Sequence, residues 1–342
     1  MDDSLREKYS RQILFEGIGL NGQERLLGSS AVVAGCGAIG AATANLLARA
    51  GVGRIRIVDR DFVEASNLQR QTLFDESDAR EALPKAVAAE RKLRAINSSM
   101  SVEGFVADIN PRNVEELLNN FDLILDGTDN FETRFLINDF AVKSGTPWIY
   151  AAVVASYGLT MTILPGKTAC LACLLEGAEA VTGMEDTCDT IGVVGPIVNL
   201  IASLQIAEAM KLLSENHEAL HGRLISADVW TGYFQSVRVE RNADCRCCSR
   251  HDFCYLQGRA QPHITMCGRD SVQIHERNRA LDLGALRQRL SHTVTGVRQN
   301  DFLLRFRVAP YEMTVFSDGR AIVKGTTDPA VARSLYARYI GA

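Results

Sequence analysis

The chain has 342 residues, and its 37 Lys plus Arg against 41 Asp plus Glu give a formal net charge of −4, which argues against a protein whose main task is coating nucleic acid. With 46% hydrophobic residues, 23% charged and 8 Pro, the composition suits one large core plus a smaller one and excludes disordered and collagen-like chains. Nine cysteines are too sparse for a disulfide scaffold and the polar start Met1-Asp2-Asp3-Ser4-Leu5-Arg6-Glu7-Lys8 is no signal peptide, so reducing cytosol is the expected compartment.

Residues 1–150 alternate short β-branched runs with longer helical patterns, which predicts consecutive βαβ units and a Rossmann-like, mostly parallel sheet of the α/β class. Strands are expected at Ala31–Ala34, Ile55–Val58, Val102–Val106, Leu123–Leu125 and Trp148–Val154, and helices at Ala41–Ala50 and Pro84–Ile96, the latter with proline in its first turn. Longer strands at Leu159–Leu164, Gly222–Ala227 and Tyr233–Val239 suggest an antiparallel extension of the sheet with the helix Ile197–Leu213 packed on it. The apolar stretch Ile191–Leu213 is interrupted by Asn199, Ser203, Gln205, Glu208 and Lys211, so no membrane span is expected. The acidic stretch Glu176–Thr190 reads as a mobile loop. The expected domains are 1–254 and a small α/β module, 255–342, with apolar runs at Phe302–Val308, Met313–Phe316 and Ala321–Val323 and a helix at Pro329–Tyr339.

Gly35-x-Gly37-x-x-Gly40 follows a predicted strand and opens a helix, so backbone N–H groups and the helix N-terminus can meet phosphate oxygens. Asp59 ends the next strand, where an acidic side chain accepts hydrogen bonds from a ribose. To this point a nicotinamide-dependent oxidoreductase fits as well as an ATP enzyme. Arg70 and Lys85 separate the two, because a triphosphate brings about four negative charges to neutralise together. Asp129, just past its strand's carboxyl end, belongs on the same sheet edge, and a carboxylate beside a triphosphate requires a divalent metal such as magnesium between them. The competing readings are solvated surface charges for Arg70 and Lys85 and a helix N-cap for Asp129.

Cys170-x-x-Cys173 and Cys245-x-x-Cys248 carry the spacing that lets paired thiolates share one tetrahedral zinc. Joined across the chain, they would staple it structurally. Cys247 competes with Cys248, and spacing favours Cys248. Cys188, in the acidic loop before Gly195-Pro196, is accessible enough for a nucleophile although its neighbouring carboxylates discourage the thiolate. Cys36, Cys254 and Cys267 read as small buried or incidental residues. His217-Glu218-Ala219-Leu220-His221 matches the zinc-protease pattern but falls where the helix runs out, and reads as a polar helix C-terminus.

Together these residues resemble the ThiF/MoeB/HesA family, bacterial relatives of ubiquitin-activating enzymes. The resemblance spans Tyr9 to about Cys248 and rests on Tyr9-Ser10-Arg11-Gln12, Gly35–Gly40, Asp59-x-Asp61, Ser66-Asn67-Leu68-x-Arg70-Gln71, Pro84-Lys85, Thr128-Asp129-Asn130, both cysteine pairs, and Cys188 before Gly195-Pro196. It implies ATP- and magnesium-dependent adenylation of the C-terminal Gly-Gly carboxylate of a ubiquitin-like sulfur carrier, on the way to a thiocarboxylate. By the same resemblance Asp59 binds the ribose, Asn67, Arg70 and Lys85 hold phosphates, Asp129 ligates magnesium, and Asp61, Gln71, Asn130 and Arg134 join the nucleotide site. Arg11 would reach into a neighbouring subunit's site, which implies a homodimer, and Cys188 would handle sulfur, with a cysteine desulfurase as donor. The glycine motif departs from the family's usual residues at Cys36 and Ala38-Ile39. The tail after Tyr255 resembles the extension of the longer thiazole-pathway members from Gram-positive bacteria, favouring thiamine over molybdopterin synthesis.

Overall fold

The structure, a computed structural model, describes residues 1–175, 191–259, 271–275, 281–291, 293–317 and 319–341. The chain divides into two compact units, Met1–His263 and Ile264–Ala342. The first unit runs further than residue 254 because the backbone N–H groups of Tyr255 and Leu256 donate to Asp139, while Phe253, Tyr255 and Leu256 pack on its core.

Helices α1 (Asp3–Lys8), α2 (Ser10–Ile13) and α3 (Gly19–Gly28) lead into β1 (Ser30–Ala34), α4 (Ala38–Ala50) and β2 (Arg54–Asp59). A 3-10 turn, Ala65–Asn67, precedes α5 (Glu76–Glu81), α6 (Lys85–Ile96), β3 (Ser101–Val106), α7 (Val114–Leu118), β4 (Leu123–Asp126), α8 (Phe131–Ser144) and β5 (Trp148–Val154). Then follow β6 (Tyr157–Ile163), α9 (Leu171–Leu175), α10 (Gly195–Leu213), β7 (Leu224–Asp228) and β8 (Tyr233–Val237). One sheet orders these strands β3-β2-β1-β4-β5-β6-β7-β8, parallel as far as β5 and antiparallel beyond.

Strands β1 and β4 are apolar along most of their length because both faces are covered. Alternation divides their side chains: Ala31 and Val33 face one cluster with α4, α6 and α10, whereas Val32 and Ala34 face another with α7, α8 and α9. Pro84 is the N-cap of α6 and sits just outside the first turn expected to hold it. The His217–Ala219 segment is a separate 3-10 turn beyond α10, with Gly222 in the left-handed region, so its histidines share no continuous helix face.

By length and composition, α10 could cross a membrane. Half of its apolar window is buried, however, and its polar residues lock it to the sheet. The Gln205 amide donates to Asp126 O and Ile149 O at 2.9 Å each and accepts from Thr43 Oγ1 at 2.7 Å, and Glu208 accepts from Thr162 Oγ1 at 3.0 Å. Leucine at Gln205 would orphan two buried carbonyls and a hydroxyl. The expected loss is about 3 kcal/mol, read as a lowered urea midpoint at constant m; a shift below about 0.5 kcal/mol would mean that the bonds contribute nothing net.

The second unit contains β9 (Ser271–His275), α11 (Leu283–Leu290), β10 (Thr295–Gln299), β11 (Leu303–Val308), β12 (Tyr311–Phe316), β13 (Arg320–Lys324) and α12 (Pro329–Tyr339). Its antiparallel sheet has the order β10-β11-β12-β13-β9, and Leu304, Phe306, Met313 and Val315 pack with Leu286, Leu290 and Tyr336 in the core.

Candidate functional site

Strand order reverses direction at β1, which has β2 on one side and β4 on the other, and ligands of open α/β sheets bind beyond the carboxyl ends at such a switch point. The turn Gly35–Gly40 lies there. Gly35 has φ +88°, and a Cβ on Gly40 would stand 1.9 Å from Gly35 O, so the turn closes only with glycine at both positions. A Cβ on Gly127, after β4, would come within 2.3 Å of the same oxygen. Gly37 is the N-cap of α4 and offers no side chain, so that end of the helix presents bare backbone N–H groups to an anion.

Asp59 braces this edge. Its carboxylate accepts from Cys36 N at 2.6 Å and Asp61 N at 2.7 Å, and burial pushes its pKa up while Lys85 pulls it down. Cys36 is wholly buried, and burial, then Asp59, raises its thiol pKa far above the ordinary range, so it is inert.

The segment after β2 folds back through a bridge between Phe62 and Pro84, which sets Lys85 at the start of α6 against Asp61. Lys85 is 4% exposed, and its ammonium lies 3.1 Å from Asp61 Oδ2, which disposes of the solvated-surface reading. On the turn Ala65–Asn67, the Asn67 Oδ1 accepts from Glu64 N at 3.1 Å. The Asn67 Nδ2 and the nearby Gln71 Oε1 are buried with no hydrogen-bond partner among the described residues. A buried amide donor left open fits a phosphate oxygen, and an open acceptor fits a hydroxyl or a metal-bound water. Arg70 is half-buried, with Nη1 donating to Ser66 O at 2.9 Å.

Asp129 is exposed at the end of the loop after β4. Asn130, not Asp129, caps α8, its Oδ1 accepting from Thr133 N at 2.8 Å. Arg134, expected in the nucleotide site, is buried, and its guanidinium donates from Nε to Asp126 at 3.0 Å and from Nη2 to Thr128 O at 2.7 Å and Ala151 O at 3.2 Å. It positions the loop that carries Asp129. Arg11 is exposed on α2, and Cys188 lies outside the described residues, as do 176–190 generally.

The four cysteines of the two pairs meet, with every sulfur within 4.8 Å of the others. Cys170 and Cys245 are 3.6 Å apart, Cys173 and Cys248 3.4 Å, and Cys170 and Cys173 3.9 Å. A tetrahedral zinc with bonds of about 2.3 Å holds its sulfurs roughly 3.8 Å apart, so the cluster fits that ion. Cys247 lies outside the cluster and accepts from Asn138 Nδ2 at 3.2 Å, so Cys248 is the fourth member of the cluster.

Residues 9–247 match the ThiF family. The chain belongs to that family. A sulfur carrier protein ThiS adenylyltransferase of Bacillus subtilis (strain 168) is 44% identical over 98% of this chain and 99% of its own length. The SAMP-activating enzyme E1 of Haloferax volcanii is 38% identical over 72% of this chain and 90% of its own. Among solved structures, E. coli MccB with ATP has a TM-score of 0.63 and 26% identity, covering 70% of this chain and 74% of that one.

Two groups in this ThiF-family site escaped the sequence reading. Arg60, the residue after Asp59, donates to Asp108 at 2.9 Å and lies 3.9 Å from Asp61; desolvation weakens its charge, but Asp108, Asp61 and Asp129 more than restore it. Gly127 shapes the cradle. No period or motif singles out either residue, since each contact depends on strands brought together by the sheet.

Proposed function

We propose that this ThiF-family chain adenylates the C-terminal glycine carboxylate of a ubiquitin-like sulfur carrier with ATP, in thiamine (thiazole) synthesis. The observation that carries the reading is likeness to the B. subtilis enzyme over nearly the whole of both chains. Residues Asn67, Arg70, Gln71 and Lys85 form the phosphate side, Asp59 with Asp61 the ribose side, and Asp129 with Asn130 the metal side. When bound there, magnesium would neutralise triphosphate charge.

The chemistry requires no general base, because the attacking carboxylate is already ionised at neutral pH. A carboxylate oxygen bonds to the α-phosphorus while the bond from that phosphorus to the bridging oxygen breaks, and pyrophosphate leaves with the electron pair. Catalysis is then alignment plus stabilisation of the leaving charge, which Lys85 and Arg70 supply. Arg11 would join them from a second copy; the exposed Leu14 and Phe15 beside it, at 73% and 65%, support a homodimer through this face. Zinc would be a structural staple at Cys170, Cys173, Cys245 and Cys248. The compartment is proposed to be the cytoplasm, which keeps such thiols reduced.

In the next step a sulfur nucleophile displaces AMP from the acyl-adenylate. Cys188 is proposed to handle that sulfur, with a cysteine desulfurase as the source. Cys188→Ala is expected to keep adenylation yet lose the covalent adduct with the carrier, seen by intact mass after incubation with carrier and sulfur donor. An unchanged adduct assigns the task to another thiol. Adenylation itself is tested by carrier-dependent ATP–pyrophosphate exchange.

A further inference from the structure

Helix α8 is held at two places. Its N-terminus follows directly on Asp129 and is capped by Asn130, and one turn in, Arg134 fastens it to Asp126 and Thr128. Eight residues beyond the cap, about 12 Å along the axis, Asn138 and Asp139 reach the cysteine staple. Both are wholly buried. Asn138 Oδ1 accepts from Leu171 N at 2.8 Å, the residue after Cys170, and its Nδ2 donates to Cys247 between the other two ligands. Asp139 accepts from Arg246 Nη1 at 3.1 Å and from Tyr255 N at 3.0 Å.

Seven of the fourteen residues of α8 are buried, including Arg134, Leu136, Ile137 and Phe140, so the helix is clasped between the two grips and cannot shift at one end without disturbing the other. One helix thus contacts both the cysteine cluster and the loop that carries Asp129.

We propose that Asn138 and Asp139 are positioning residues through which the thiolate staple sets the placement of Asp129, so that zinc occupancy and nucleotide–magnesium binding favour each other. This rests on the adenylation reading above. The staple holds the backbone at Leu171 and Arg246, the Leu171 N–H and the Arg246 guanidinium hold Asn138 and Asp139, and α8 carries the constraint to the metal side of the nucleotide site. A displacement of about 1 Å there costs up to 10²-fold in a reaction that depends on alignment.

The test uses the zinc-loaded full chain and calorimetry with ATP, with and without magnesium. Asn138→Ala is expected to retain its zinc and to bind ATP·Mg²⁺ about tenfold more weakly, with the affinity for ATP alone unchanged, because only Asp129 is misplaced. Asn138→Asp keeps the acceptor for Leu171 N and should recover part of the loss; it also serves if the alanine variant does not fold. Coupling is reciprocal, so ATP·Mg²⁺ must tighten zinc binding, read at equilibrium by competition with a chromophoric chelator, in the wild type and do so less in the variants. Equal zinc affinities with and without ATP·Mg²⁺, or weaker zinc binding in the variants with unaltered nucleotide affinity, would reduce Asn138 to a structural support and overturn the proposal. Failure of the wild type to bind ATP·Mg²⁺ at all would remove the adenylation reading and the coupling with it.

Discussion

Alanine at Asp129 is expected to cut carrier-dependent ATP–pyrophosphate exchange by about 10²–10³-fold, the loss that follows removal of one group organising transition-state charge. Folding should be nearly unaffected. Asp129 is exposed, the cap of α8 belongs to Asn130, and the loop before them is braced by Arg134 through Asp126 and Thr128, so the deleted carboxylate leaves those bonds intact. A stability change within about 0.5 kcal/mol is the expectation for such a site. The variant should need more magnesium than the wild type to reach its maximal rate, since its proposed defect is loss of a metal ligand. Exchange at the wild-type rate would take Asp129 out of metal binding, and a collapse in stability would show that the carboxylate supports the fold instead.

The second large effect concerns the staple, where adjacent cysteines should behave in opposite ways. If the staple holds one zinc as proposed, Cys248→Ala is expected to lower zinc content to a small fraction of the wild type's and to destabilise the first unit by several kcal/mol, because metal binding is also folding free energy. Cys247→Ala should keep the full complement of zinc. Its cost is that of a buried small side chain and one hydrogen bond from Asn138, about 1–2 kcal/mol. Metal content by mass spectrometry under native conditions and thermal melts of both variants decide the matter. Retention of zinc by the Cys248 variant would mean that Cys247 substitutes for it.

What the sequence made legible follows from what each signal depends on. The parallel strands could be found because burial on both faces leaves short apolar runs, and Trp148–Val154 matches its strand at both ends. The glycine turn could be found because Gly35 and Gly40 answer a steric demand that only glycine meets. By contrast, β10 is an edge strand with mostly exposed residues and presents no apolar alternation, and α11 is a short amphipathic helix between runs of polar residues. Those elements of the second unit went unpredicted for that reason. The partner of Arg134 is not legible in the sequence because a cation near a nucleotide motif carries no mark of its direction; the fold turns it toward Asp126. Likewise, Gln205 looked like an interruption of an apolar helix and is in fact the bond that ties α10 to β4 and β5. Polar residues inside a core are informative only once their partners are known.

The central claim, activation of a carrier's carboxylate by ATP, is tested most directly by ATP–pyrophosphate exchange with zinc-loaded protein, magnesium and a ubiquitin-like carrier ending in Gly-Gly. Label should pass from pyrophosphate into ATP only when the carrier is present with its terminal glycine intact, and removal of that glycine should abolish it. Absence of exchange with every such carrier from the same genome, in protein that is folded and holds its zinc, would contradict the account.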